Sequence, residues 1–394
     1  MLAVGATFAG PDAASGQDTR ADVIREEQAA RQQQLRPPES NGVERLLDRL
    51  EDWGLITGAP RGFYPWFGSV YPGGGFAAGL GGRKAFGDDG SLNAFGAYSI
   101  NTFARGQVDL ALPTFVRNRA RITLSGRYID APNVRHFGVG NDSQQDDQTR
   151  FGYTPITGGA HLDIDVVGPL TIGGGVQYHD ITTSGGITSP SIEDIFSPAN
   201  TPGLELSSFS YVNATARAAF DWRRPPGYSG KGGLIRAQFD DFREQDNDLY
   251  SFQQLEGEVV QLIPILRANW VIALRGLATV TDLEESGSVP YFLLPALGGG
   301  STLRGYPDFR FRDRNRMLMT AELRWTPARF LDMAIFYDTG KVAARRADLD
   351  FKDLKESWGI GMRLVGVEGY AFRVEAAHSR ENNLRLIFSA GGAF

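Results

Sequence analysis

Period-two alternation of apolar and polar residues constrains this chain more than any other feature, recurring in stretch after stretch from about Gly62 onward. Ala160, Leu162, Ile164 and Val166 oppose His161, Asp163 and Asp165. Ala214, Ala216, Ala218, Phe220 and Trp222 oppose Asn213, Thr215, Arg217, Asp221 and Arg223. Met317, Met319, Ala321, Leu323 and Trp325 oppose Thr320, Glu322 and Arg324, and Tyr370, Phe372 and Val374 oppose Arg373 and Glu375. Successive side chains of a strand point to opposite faces, so each stretch reads as a strand with one apolar face. The apolar faces run for about five positions, matching the roughly 9–11 residues that a strand needs to cross a bilayer. Aromatic residues stand near strand ends (Trp222, Trp325, Tyr178, Tyr128), where interfacial girdles belong.

Connection lengths sharpen the expectation. Val167–Pro169, Ile263–Ile265 and Gly366–Glu368 are brief, whereas 181–206, 282–315 and 339–355 are long, and the two kinds alternate. Short turns on one rim and long loops on the other is the pattern of an outer-membrane barrel. The predicted fold is all-β: a 16-stranded antiparallel transmembrane β-barrel over residues 61–394, with about 14–18 strands as the range. Residues 131–148 read as loop, and Pro65 weakens the first strand. Residues 1–60 form a separate helical and linker segment. Within it, Val43, Leu46, Leu47, Leu50 and Trp53 recur at helical spacing. That helix either packs against the end of the barrel, plugs it or meets a partner. Strand parity places this segment on the short-turn, periplasmic side. The start, Met1–Ala9, is apolar without a basic flank, and reads as the tail of a signal peptide or as a plain N-terminus.

Composition narrows the chemistry. Cys is absent, which removes disulfides, thiolate metal sites and a Cys nucleophile. A net charge of −6 argues against nucleic acid. No apolar run reaches the about 18 residues of a transmembrane helix. His161, Asp163 and Asp165 share a strand face, but i, i+2, i+4 positions spread over about 13 Å, so they read as a polar lumen stripe rather than a metal site. His378 and Ser379 are adjacent and point apart. No triad, phosphate loop or cofactor motif is present, and the expectation is neither an enzyme nor a cofactor carrier.

One connection is unlike the rest. Gly298–Asp313 is rich in Gly and charge, yet carries Leu303, Tyr306, Phe309 and Phe311, which a disordered loop would not favour. It reads as a loop that folds inward and docks. Strand parity sends Glu322 and Asp338 to the inner wall, where an inserted Arg304 would meet Asp338 bidentately with Glu322 alongside. Gly305 would let the backbone come close to that wall.

Gly299-Gly300, Leu303-Arg304-Gly305-Tyr306 and Phe311-Arg312 resemble the loop motif of the BamA/TamA superfamily of outer-membrane assembly factors and two-partner secretion transporters. Ile335–Val342, with Phe336-Tyr337-Asp338-Thr339-Gly340, resembles the Phe-x-Asp-x-Gly strand motif of these families, and Glu322, five strands from the end, matches as well. The chain ends in Phe394, as their last strands do, and Phe388 shares its parity. The resemblance implies a lumenal lock made of Arg304, Gly305, Tyr306, Glu322 and Asp338. It also implies a C-terminal assembly signal at Phe394 and Phe388, and a role in inserting or translocating proteins or lipids through a seam between first and last strands. Implied partners are outer-membrane lipid, client outer-membrane proteins or lipids, and a separately encoded periplasmic partner. About 60 residues precede the barrel, so the expected form lacks POTRA domains. A passive porin-like channel or structural surface antigen is the alternative.

Overall fold

The computed structural model describes residues 62–223, 230–246, 249–265, 269–283, 287–328, 331–366 and 369–390. The helix expected over Val43–Trp53, the boundary near residue 60 and Phe394 lie outside the described residues.

Strands form where the alternation places them. The first seven are β1 (Gly62–Gly68), β2 (Ala77–Phe86), β3 (Gly90–Ser99), β4 (Ala104–Ala111), β5 (Ala120–His136), β6 (Thr149–Val167) and β7 (Leu170–Gly185). Then follow β8 (Ser208–Asp221), β9 (Gly232–Glu244), β10 (Phe252–Ile265) and β11 (Trp270–Leu283). A two-residue ribbon, β12 (Ala296–Leu297) with β13 (Phe311–Arg312), lies inside the long connection after β11. The last five are β14 (Asn315–Ala328), β15 (Leu331–Ala343), β16 (Lys355–Gly366), β17 (Gly369–Ser379) and β18 (Arg385–Ala390). Leaving the ribbon aside, all pair antiparallel with their chain neighbours, giving one 16-stranded sheet that runs from β1 to β18. Among the described residues no ladder joins β1 to β18, although the two strands approach each other.

The sheet is inside out by the standard of a soluble protein. Leu80, Tyr98, Ile156, Val176, Ile335, Ile360 and Phe388 are all exposed, while Glu322, Asp338, Arg363 and Glu375 are buried. An apolar outer wall around a polar interior is stable when the outer wall meets lipid. Trp270 stacks on Trp325 at the short-turn rim, 5.4 Å between centroids, where amphipathic rings suit a membrane interface.

Two expectations need correction. Residues 131–136 belong to β5, not to a loop, because a register shift between Ala131 and Val134 interrupts the alternation without ending the strand. Strands β5, β7 and β15 also continue beyond the expected ends into the long-loop rim. There Val134, Phe151, Tyr153, Phe209, Tyr291 and Phe292 bury one another in an apolar cap, so the period-two pattern set by lipid no longer applies. Pro65 is accommodated in β1, the first strand of the sheet, an edge position where a missing donor is tolerated.

Candidate functional site

The loop between β11 and β14 turns back into the barrel, and its sequence explains how. Gly298 and Gly299 hold φ of 110° and 97°, a region that L side chains avoid. A Cβ on Gly298 would collide with the Pro307 carbonyl oxygen. The turn is closed by Gly299 N–H donating to the Tyr306 carbonyl at 3.0 Å and by the Thr302 hydroxyl on the Gly298 carbonyl at 2.9 Å. Leu303, Tyr306 and Phe311 then bury against Leu277, Leu318 and Val342 of the wall.

At the tip of this turn, Arg304 is 2% exposed. Its Nε donates to Asp338 Oδ2 at 2.8 Å and its Nη2 to Asp338 Oδ1 at 2.6 Å. That is the side-on bidentate arrangement, which fixes orientation as well as charge. Its Nη1 reaches Glu322 Oε1 at 2.6 Å and Glu375 Oε1 at 3.1 Å. The guanidinium carbon lies 3.4 Å from the centroid of the Phe336 ring, within cation–π range. Burial works against the charge on Arg304, but Asp338, Glu322 and Glu375 outweigh it and hold its pKa above the ordinary arginine value.

Sheet register assembles the receiving wall. Thr320 of β14 faces Asp338 of β15, which faces Ser357 of β16, and both hydroxyls donate to Asp338, at 3.0 and 3.3 Å. Glu322 is cross-strand to Phe336, and Arg363 to Arg373. Glu322 also accepts from Arg324 Nε at 2.7 Å and Arg363 Nη2 at 2.8 Å. Arg363 Nη2 lies 3.2 Å from Glu375 as well. Gly305 passes close to β16 and β17: a Cβ there would lie 2.6 Å from the His378 carbonyl oxygen. Its own carbonyl accepts from Ser379 Oγ at 2.9 Å. Gly359 leaves room for Phe336, whose ring would be 2.6 Å from an added Cβ.

Thus Arg304, Glu322 and Asp338 converge, Gly305 makes the close approach, and Tyr306 packs beneath, 5.1 Å from Phe311. Phe388 stands apart, exposed on the outer face. Sequence reasoning missed Glu375, Arg363, Arg324, Phe336 and Gly359 as members of the site. Parity did place Arg373 and Glu375 on the polar face of their strand, but the cross-strand register that brings Glu375 level with Arg304 has no local signature. The stripe on β6 disperses: His161 contacts Gln177, Asp163 pairs with Arg217, and Asp165 accepts from Thr171.

The loop is tied further out as well. Arg385 of β18 donates to the carbonyls of Arg304 and Tyr306 and, at 2.9 Å, to Asp308. Arg310 holds Glu381 at 2.7 Å on one side and Ser143 at 2.8 Å on the other. Chemically, an assembly of this kind can act as a clasp, fixing a loop through charge and shape.

No family model matches the sequence, and no curated protein matches it. Among solved structures, the fold is similar to that of BamA from Haemophilus ducreyi lacking POTRA domains 1–3. The identity is 14% and the TM-score 0.61, over 92% of this chain and 81% of that one. It is also similar to CdiB from Acinetobacter baumannii, at 11% identity and a TM-score of 0.50, over 83% of this chain and 57% of that one. At such identities likeness speaks for architecture and leaves activity to the site itself. This chain folds as the barrel of BamA and CdiB does.

Proposed function

We propose that this chain is an outer-membrane barrel that inserts or translocates polypeptide or lipid at the seam between β1 and β18, with the Arg304 clasp holding its loop against the last strands. The observation that carries this reading is the seam. Among the described residues β1 and β18 approach each other, but no ladder joins them. Unpaired N–H and C=O groups facing lipid are costly, and a strand edge left open is a template for another strand. Likeness to BamA and CdiB supports the reading at the level of fold.

Since the native chain has no Cys, pairs introduced along Phe63–Phe67 and Leu386–Phe388 can lock the seam by oxidation. In vesicles reconstituted with the chain, insertion of a reporter barrel should stop when a pair is oxidised and resume on reduction. Insertion that continues through a locked seam overturns the proposal. Solute flux that depends on the chain, without any dependent insertion, would favour the passive channel.

Orientation follows from the same reading. The long connections face outward, and the short ones, with the start of β1, face the periplasm. Ser189→Cys should react with an impermeant maleimide on intact cells, and Asp88→Cys, in the β2–β3 turn, only after the outer membrane is permeabilised. The reverse pattern would invert the assignment.

A further inference from the structure

A second site lies at the other end of the same loop. Arg312 follows Phe311 in the ribbon and is 1% exposed. Its Nη1 donates to the carbonyls of Tyr291 and Phe292, at 3.3 and 3.5 Å. Its guanidinium carbon lies 4.2 Å from the Phe309 centroid. Its Nε and Nη2 are buried and have no hydrogen-bond partner among the described residues. These two atoms form the edge of the guanidinium that takes a carboxylate or phosphate side-on, the edge that Arg304 uses on Asp338. Burial pushes the Arg312 pKa down to about 10, so the group is still a cation at neutral pH.

Arg312 lines a cavity of about 360 Å³ between the loop and strands β10 and β11. Gln254 lines it too, and its Nε2 is likewise buried without a partner. All the orphaned atoms are therefore donors. The carboxylates on the cavity wall are already engaged: Glu256 by Arg316 at 2.7 Å, and Asp308 by Arg385 at 2.9 Å with Arg135 at 3.7 Å. Thr279 Oγ also donates to Glu256, at 3.0 Å. What the cavity lacks is a pair of acceptor oxygens. At about 30 Å³ for each water, the space accommodates a small anion with part of its hydration shell.

We propose that this cavity binds a small oxyanion, a carboxylate or a phosphate from the aqueous lumen, through the Nε–Nη2 edge of Arg312 with Gln254 Nε2 as a further donor. The bound anion would neutralise the buried Arg312 guanidinium, which has no carboxylate against it in the contacts above. Unlike the clasp, which is complete within the chain, this site is completed by a ligand.

The test uses the full chain purified in detergent, titrated with inorganic phosphate and separately with acetate, at ionic strength held constant with chloride. The expected result is a saturable rise in melting temperature with at least one of the two anions, since a ligand that binds only the folded state stabilises it by mass action. Arg312→Gln should weaken that response about tenfold or more, the share of a charge-assisted contact. Gln254→Leu, which leaves Arg312 and its carbonyl contacts in place, should weaken it several-fold. If Arg312→Gln does not assemble, the Gln254→Leu titration decides. The proposal is overturned if neither anion gives a saturable shift, or if Gln254→Leu titrates as the wild type does.

Discussion

Arg304→Ala should leave the barrel assembled and heat-modifiable on a gel, but with its loop undocked and its function lost. Asp338 would keep the hydroxyls of Thr320 and Ser357 and, while the loop stays seated, the backbone N–H of residue 304 at 3.3 Å, whereas Glu322 would retain Arg324 and Arg363. The damage therefore concentrates on one buried carboxylate. Breaking a buried pair on one side costs about 3–5 kcal/mol, which weakens docking of the loop by about a hundredfold or more. Arg310 and Arg312, each about 1% exposed, would then become trypsin sites. Resistance of the variant loop to trypsin would contradict the clasp. Arg304→Lys should rescue in part, because an ammonium cannot make the planar fork. Combining Arg304→Ala with Asp338→Asn should cost less than the sum of the two, as expected for residues in direct contact.

Gly305→Val should undock the loop with every charge still in place. The added Cβ would lie 2.6 Å from the His378 carbonyl oxygen and 2.8 Å from Ser357 Cβ, and both of these atoms belong to the sheet. Overpacking against a wall that cannot yield costs about 1–3 kcal/mol, sometimes more. The carbonyl of Gly305 would also be drawn away from Ser379. The same tryptic cleavage should appear, and the Arg304 side chain, though intact, should not prevent it. If Gly305→Val stays protected, the close approach is not what seats the loop.

The strands were legible in the sequence because lipid on one side and water on the other impose a strict two-residue period. Legibility failed where that contrast ends, as at Ala131–His136, whose surroundings are the aromatic cap. Arg304, Asp338 and Glu322 were readable because two local motifs and strand parity converge on them. Glu375 and Arg363 were not, since their contribution depends on register across β14–β17, which no single strand encodes; Phe336 stood in the strand motif, but its stacking under Arg304 shows only in three dimensions. The orphaned edge of Arg312 was also invisible: a missing partner is a property of three-dimensional packing, and the sequence shows only an arginine beside a phenylalanine.

The attachments of the loop are unevenly distributed around the wall. Its ion pairs fall on β14 to β18 and on Arg135 of β5, and further ties reach Ser143, Arg275 and Leu277 of β11, and the aromatic cap on β5, β6 and β8. Toward the first hairpin it offers a ring contact, Tyr71 with Phe309, 5.7 Å between centroids. β2 meanwhile contains Gly79, Gly81 and Gly82, residues that give a strand little side-chain packing. The loop thus braces the barrel more on one side of its seam than on the other. A force applied at the seam would be borne unequally, with the C-terminal wall acting as a fixed jamb and β1–β4 as the leaf that swings. Amide exchange should accordingly be faster in β1–β4 than in β14–β17, and Arg304→Ala should narrow that difference by loosening the jamb.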